Sequence, residues 1–378
     1  GRLPEGNQNT CGPSTGLFHE FEYKLAKKIS DSIETVDMFR MMGSGTEACM
    51  GAARIARLAT KHKNIIKMGG AYHGWSDQMA YGIRVNGTKF TQAHGVPLNC
   101  FMFIQETTPN DLDELERKLR LNQFRGGTAA VYMEPVGPES GTTPITVEYV
   151  KGVERLCRKY GALLVFDEVV TGFRIGMAGA QGYFGVSPDL TIFGKVIAGG
   201  YPGAGGIGGK REYMKYLGAG LDSSGKKIHK ALVGGTMTAN PLSCCAGYFT
   251  LEEIERTNAC QKAGQMGDRI CAGLKELVKK HGLPFVVWNT GSICHLETVG
   301  TMHYQINWKK PWEIPAILGE TGVRQKEMEH MGAAYMAEGL VTLAGSRLYT
   351  SAAYTPKMID QALACFDRVF ENVAVKAD

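Results

Sequence analysis

The sequence predicts an α/β protein, a mostly parallel sheet covered by helices and followed by a smaller α+β unit. Three observations carry this. Apolar runs of strand length alternate with stretches of helical periodicity through roughly the first two thirds of the chain. After about Glu255 the alternation gives way to a long helical stretch and then to closely spaced strands. The 378 residues, 44% apolar and 21% charged, are enough for two cores and ordinary for a globular protein.

Taken in order, Val36–Met42 reads as the first strand, and Thr46–Thr60 follows as a helix rich in good helix formers, Ala48, Ala52, Ala53 and Ala56. Ile65–Met68 and Phe101–Ile104 are short apolar strands, and Asp111–Leu119 is a helix. Ala129–Met133, then Val147–Tyr160 with Val153 and Leu156 on one face, then Ala162–Phe166 repeat the strand–helix–strand pattern, and Leu190–Phe193 closes it. Beyond lie a helix at Gln261–His281, strands at Phe285–Trp288 and Ser292–Glu297, a helix at Gly322–Glu338, a strand at Leu340–Leu343 and a last helix at Pro356–Val373. The reading divides the chain into a large domain, 1–255, and a small C-terminal domain, 256–378.

Bulk properties narrow the function. The net charge of +5 is modest and the basic residues are scattered, which describes a solvated surface and not a nucleic-acid footprint. None of the ten cysteines stands at C-x-x-C spacing, so no zinc or redox motif is expected, and buried free thiols point to a reducing, cytoplasmic compartment. No apolar run has the length of a membrane span, and no metal site is expected. The chain reads as starting within a fold, so a leader before Gly1 stays open.

Four places at strand ends carry chemistry. Gly43-Ser44-Gly45-Thr46 follows a strand and opens a helix, where converging N–H groups and the helix dipole suit a phosphate; a capped strand–helix turn would look the same. Tyr72-His73-Gly74 sets an aromatic where it can stack on a flat ring, or simply fill the rim of the core. Asp167, ending the run Phe166-Asp167-Glu168, can pair with a protonated ring nitrogen, or cap a turn. Lys195 stands in Phe193-Gly194-Lys195 before the glycine-rich Gly199–Gly209, with room for a bulky adduct on its amine; alone, it is a loop lysine. Together they supply a phosphate cradle, a stacking ring, a ring-nitrogen carboxylate and an amine, the parts that pyridoxal 5'-phosphate (PLP) needs from a protein.

On these residues the chain resembles the class III aminotransferases. The resemblance runs through Ser44-Gly45-Thr46-Glu47-Ala48, Tyr72-His73-Gly74, Glu134-Pro135, Asp167-Glu168-Val169 with Gly172-Phe173-Arg174, Gly194-Lys195, Gly235-Thr236 and Asn240-Pro241. In texture it is most similar to glutamate-1-semialdehyde aminomutase, notably at Gly179-Ala180-Gln181 and Phe184-Gly185-Val186. The resemblance implies the PLP-dependent transferase fold type I, with Lys195 carrying the cofactor and moving the proton. It implies Asp167 on the ring nitrogen, Tyr72 and Val169 on the ring faces, His73 in the same site, and Ser44, Gly45 and Thr46 on the phosphate. Thr236 would reach the phosphate of the neighbouring subunit in a homodimer. Two departures stand out: family members carry residues before the position of Gly1, and the segment Tyr201–Gly206 is one residue longer than usual.

The activity this implies is amino-group transfer between a small amine or amino acid and a keto acid or aldehyde. Rivals are the aminomutase, an amino-acid racemase, and a PLP-binding protein without turnover. Glu139 and Arg347 tilt the reading to a transferase, because they match a glutamate and a carboxylate-binding arginine of ω-aminotransferases. A surface ion pair is the plainer explanation of the same two residues.

Overall fold

The computed structural model describes residues 18–82, 95–136, 144–218, 220, 225–227, 229–298, 312, 314–343 and 345–374. In chain order the elements are α1 (Glu20–Ser32), β1 (Met38–Met42), α2 (Gly45–Thr60), β2 (Asn64–Met68), β3 (Ile104–Thr107), α3 (Leu112–Asn122), β4 (Thr128–Met133), α4 (Val147–Tyr160) and β5 (Leu163–Asp167). Then come α5 (Gly179–Phe184), β6 (Leu190–Gly194), β7 (Gly205–Gly209), α6 (Arg211–Met214), α7 (Pro241–Thr257), α8 (Ala259–Lys280), β8 (Val286–Thr290), β9 (Ile293–Glu297), α9 (Ile314–Ala337), β10 (Arg347–Tyr349) and α10 (Pro356–Ala374).

Seven strands form one sheet in the order β1-β7-β6-β5-β4-β2-β3, in which β7 runs antiparallel to both neighbours and the remaining pairs are parallel. Both faces are buried. Ala130, Tyr132 and Val165 pack with α2 on one side, while Val131, Met133, Leu164 and Phe166 pack with α3 and α4 on the other. That two-sided burial is why these strands read as continuous apolar runs and not as alternating ones. A separate antiparallel sheet, β10-β9-β8, shares a third apolar cluster with α8 and α10, including Leu274, Leu296, Phe366 and Phe370.

The sequence reading places most elements within a few residues, and its misses have physical causes. The third strand is Ile104–Thr107, not Phe101–Ile104. Leu98–Phe101 is a 3-10 turn in which Phe101 packs on Tyr81, while the polar strand residue Gln105 is satisfied by paired amide bonds with Asn122 at 3.0 and 3.1 Å. No strand forms over Leu340–Leu343. Val341 is exposed, Leu343 makes only an isolated bridge, and β10 begins at Arg347 after Gly345 turns the chain at a φ of 73°.

The glycine-rich segment conceals β7. A Cβ at Gly205 would lie 2.2 Å from the Ser44 carbonyl oxygen, and one at Gly206 would lie 2.4 Å from the Phe39 ring. Only glycine lets this strand sit between β1 and β6. Helix α7 also escapes the apolar pattern, although its start is marked: Asn240 caps it by accepting from the Ser243 N–H at 2.9 Å, with Pro241 in the first turn. Among the described residues, no helix is long and apolar enough to cross a membrane.

Candidate active site

The carboxyl ends of β1, β2, β5 and β6 emerge on one edge of the sheet, which is where ligands of parallel sheets gather. Just past β1, Ser44 caps the sixteen-residue α2, its hydroxyl accepting from the Glu47 N–H at 3.2 Å. The Glu47 carboxylate reaches back to the Gly43 N–H at 2.8 Å. Past β2, Gly74 has a φ of 86°, and a Cβ there would lie 2.4 Å from Oγ1 of Thr46. The Tyr72–Gly74 turn is therefore pressed against the start of α2.

Val169 joins the remaining parts. A methyl group added at Gly45 would lie 2.9 Å from one of its γ-carbons, and one added at Gly194 the same distance from the other. The helix start, the loop after β5 and the residue before Lys195 thus meet on one side chain. Lys195 itself is exposed at the end of β6, with a φ of 49°. A left-handed lysine is strained, and such strain persists where the surroundings enforce it.

Asp167 ends β5 and is 5% exposed. Its Oδ1 accepts from the Val169 N–H at 3.1 Å, and its Oδ2 accepts from Nδ1 of His73 at 2.7 Å. The Cys49 thiol lies 3.6 Å from the same oxygen. Burial lowers the His73 pKa despite the adjacent carboxylate, so the ring is neutral, its proton on Nδ1; Nε2 is buried without a hydrogen-bond partner. Ligand atoms of Cys49, His73 and Asp167 lie within 4.8 Å of one another, a spacing that a metal ion could use. Burial, with Asp167 adding to it, pushes the thiol pKa well up. The contacts present are hydrogen bonds: the thiol and the His73 N–H both meet Oδ2, so the cluster holds the carboxylate in place.

Glu168 is a neighbour that the sequence reading left without a role. It is 1% exposed and accepts from the Ala180 N–H at 2.6 Å, from the Gln181 N–H and side-chain amide at 3.3 and 3.2 Å, and from Thr171 Oγ1 at 3.0 Å. Burial raises its pKa, against the lowering effect of these donors. Glu168 caps the start of α5 at Ala180 and Gln181, and Asp167 bonds the Val169 N–H of its own turn through Oδ1.

The other expected residues divide. Tyr72 is 40% exposed at the rim. Thr236 is exposed in a turn closed by Thr238 N–H donating to Gly235 at 3.1 Å, and Gly235 lies beside Glu47 of its own chain. Glu139 falls outside the described residues. Arg347 lines a cleft with Glu134, Val170 and Thr171 on the large-sheet side and His295 and Tyr349 on the small-sheet side. His295 was not singled out from the sequence. Its signal was there, since Ile293, His295 and Glu297 alternate with the core residues Cys294 and Leu296, which sets two ionisable side chains on one strand face.

A flat ring bearing a phosphate, a protonatable nitrogen and an aldehyde fits this set of donors. Glycines stand where a Cβ would close the space, and a rigidly held carboxylate lies below the rim. The fold and site define a PLP-dependent enzyme. The chain belongs to the class III aminotransferases, whose family model matches residues 7–344. It is 34% identical to glutamate-1-semialdehyde 2,1-aminomutase 2 of Shouchella clausii (strain KSM-K16) over 373 residues, 97% of this chain and 80% of that protein. It is 37% identical to glutamate-1-semialdehyde 2,1-aminomutase of Legionella pneumophila (strain Paris) over 287 residues, 75% of this chain and 64% of that one. An ω-transaminase from Sphaerobacter thermophilus superposes with a TM-score of 0.80 at 25% identity, over 95% of this chain and 80% of that chain. The protein is a PLP-dependent enzyme of the aminotransferase type.

Proposed function

We propose that the enzyme moves an amino group between a primary amine or amino acid and a keto acid, with Arg347 receiving the acid's carboxylate. The observation that carries this reading is the position of Arg347. Its cleft is walled on the far side by Glu134, which follows β4, and by Val170 and Thr171, which follow β5, the strand that ends in Asp167. A guanidinium grips a carboxylate with two parallel hydrogen bonds. Glu139 is the partner assigned to Arg347 when the substrate brings no carboxylate there.

When bound, PLP supplies an electrophilic carbon for the amine and a sink for electrons released at the substrate carbon. Lys195 would hold the cofactor through its amine and would supply the base that moves the proton at the substrate carbon. Asp167 keeps the ring nitrogen protonated by opposite charge, and His73 keeps Asp167 aligned. Ser44, Gly45 and Thr46 would hold the phosphate, and Tyr72 and Val169 would pack on the ring.

Thr236 is assigned to the phosphate of the neighbouring site in a homodimer. Trp75, Leu232 and Met237, which flank the Tyr72–Gly74 turn and Thr236, are 78%, 78% and 55% exposed, an apolar surface suited to a second copy. The same reading takes 1–255 as a large cofactor-binding domain and 256–378 as a small one. It takes only small molecules as further partners, and a cytoplasmic location in keeping with the nine free thiols described.

A second reading, transfer within glutamate-1-semialdehyde, is favoured by the identity to the aminomutases. The test is incubation with an amine donor and no acceptor. Release of one equivalent of free carbonyl product per site is expected of a transferase. Rearrangement of glutamate-1-semialdehyde with no carbonyl released would establish the aminomutase, and exchange of the α-proton alone a racemase. In a transferase, Arg347→Lys should raise the KM for the keto acid far more than that for a simple amine.

A further inference from the structure

Trp288 on β8, His295 on β9 and Arg347 on β10 are register partners, so their side chains form one row across a single face of the small sheet. The Trp288 and His295 rings stack, with centroids 4.1 Å apart and planes 4° from parallel. His295 is 2% exposed, and its Nδ1 lies 3.3 Å from Oε1 of Glu297, itself 3% exposed and two residues along the same strand. A buried carboxylate takes the hydrogen bond of the imidazole N–H facing it, which assigns the proton to Nδ1. The ring is thus held twice, in plane by Trp288 and in rotation by Glu297. Nε2 is the ring nitrogen that does not face Glu297, and Tyr349 pairs in register with Ile293, two residues before His295. Ile293, Tyr349, His295 and Arg347 all line the cleft.

Such fixing is what a recognition side chain requires, because an imidazole locked before binding loses little freedom when it engages a ligand. A packing residue would need neither nitrogen. The cleft therefore sets an imidazole beside a guanidinium on one wall, with the carboxyl of Glu134 on the other. An anion entering it is drawn to the His295–Arg347 side and repelled from Glu134. An imidazolium so placed has one N–H for Glu297 and a second, at Nε2, for an anion.

We propose that His295 is a specificity-determining residue, whose Nε2 receives the carboxylate of the acid substrate jointly with Arg347, while Glu297 and Trp288 act as positioning residues. The inference rests on the acid-binding reading of the cleft given above and extends it to a second side chain.

The test uses holoenzyme and two unreactive carboxylates, succinate and propanoate, titrated calorimetrically. His295→Gln keeps a polar side chain but not the fixed imidazole, and His295→Phe keeps the stack on Trp288 while removing both nitrogens. Each is expected to weaken the tighter-binding carboxylate about tenfold, the scale of one charge-assisted hydrogen bond. Each should also raise the ratio of KM for the keto acid to KM for a simple amine about tenfold. Circular dichroism and thermal melting establish that the variants fold, and His295→Gln, the milder change, carries the test if His295→Phe does not. A Kd and a KM ratio within twofold of the parent in a folded variant would overturn the role of His295. Arg347→Lys is measured beside them. Loss of carboxylate binding there, with none in the His295 variants, removes His295 alone. No loss in any variant removes the acid reading of the cleft as well.

Discussion

Oδ2 of Asp167 accepts a hydrogen bond from Nδ1 of His73 at 2.7 Å, with neither side chain more than 6% exposed. A carboxylate held this way is fixed in orientation. Asp167→Asn should keep the fold and cofactor binding but lower turnover at least about a hundredfold, since a carboxamide cannot hold the cofactor's ring nitrogen protonated. Turnover is measured beside cofactor absorbance and a thermal melt. Parental turnover would reduce Asp167 to a strand-end structural residue.

Lys195→Ala should abolish turnover and prevent covalent attachment of the cofactor while leaving its non-covalent binding measurable. Borohydride reduction followed by mass spectrometry reads this directly. The parent gains the mass of one cofactor per chain and the variant gains none. A stable adduct in the variant would move the attachment to another lysine.

Glu168→Ala should destabilise the fold by about 2–4 kcal/mol, because it strips the N–H groups of Ala180 and Gln181 and the hydroxyl of Thr171 of a shared buried acceptor. Urea unfolding measures the loss. Glu168→Gln, which keeps one acceptor oxygen, should lose less. Equal stability of all three proteins would contradict the capping role.

Lys67 gives a pH dependence of definite sign. Its Nζ donates to the Met79 and Tyr81 carbonyls at 3.3 and 2.7 Å, and burial lowers its pKa from the ordinary 10.5 to about 8. Between those values the unfolded chain binds more protons than the native one, so stability rises with pH across that window, and the cost of the buried charge is fully felt below about 8. The stability of the parent relative to Lys67→Met should therefore increase from pH 7 to pH 10, by an amount on the order of 3 kcal/mol. Urea midpoints of both proteins at the two pH values check this. A difference independent of pH would mean that Lys67 titrates normally.

What the sequence determined by itself is the parallel core and the strand-end chemistry. Strands buried on both faces must be apolar throughout, and ligand sites of such a sheet gather where the strands end, so the candidates Ser44, Tyr72, Asp167 and Lys195 are visible as polar punctuation at the ends of apolar runs. The tertiary structure alone decided the rest. Strand β7 is glycine except for the buried Ile207, too few side chains to form a pattern, because those of its neighbours occupy the space at the glycines. The polar strand β3 is licensed by amide bonds to Asn122, which belongs to another element. His73 and Cys49 are distant from Asp167 in sequence and meet it only when β2, α2 and β5 assemble. His295 acquires a purpose only beside Trp288 and Arg347, its register partners on β8 and β10. Periodicity records which face of an element is buried, whereas hydrogen-bond satisfaction and cross-strand neighbours are properties of the assembled chain.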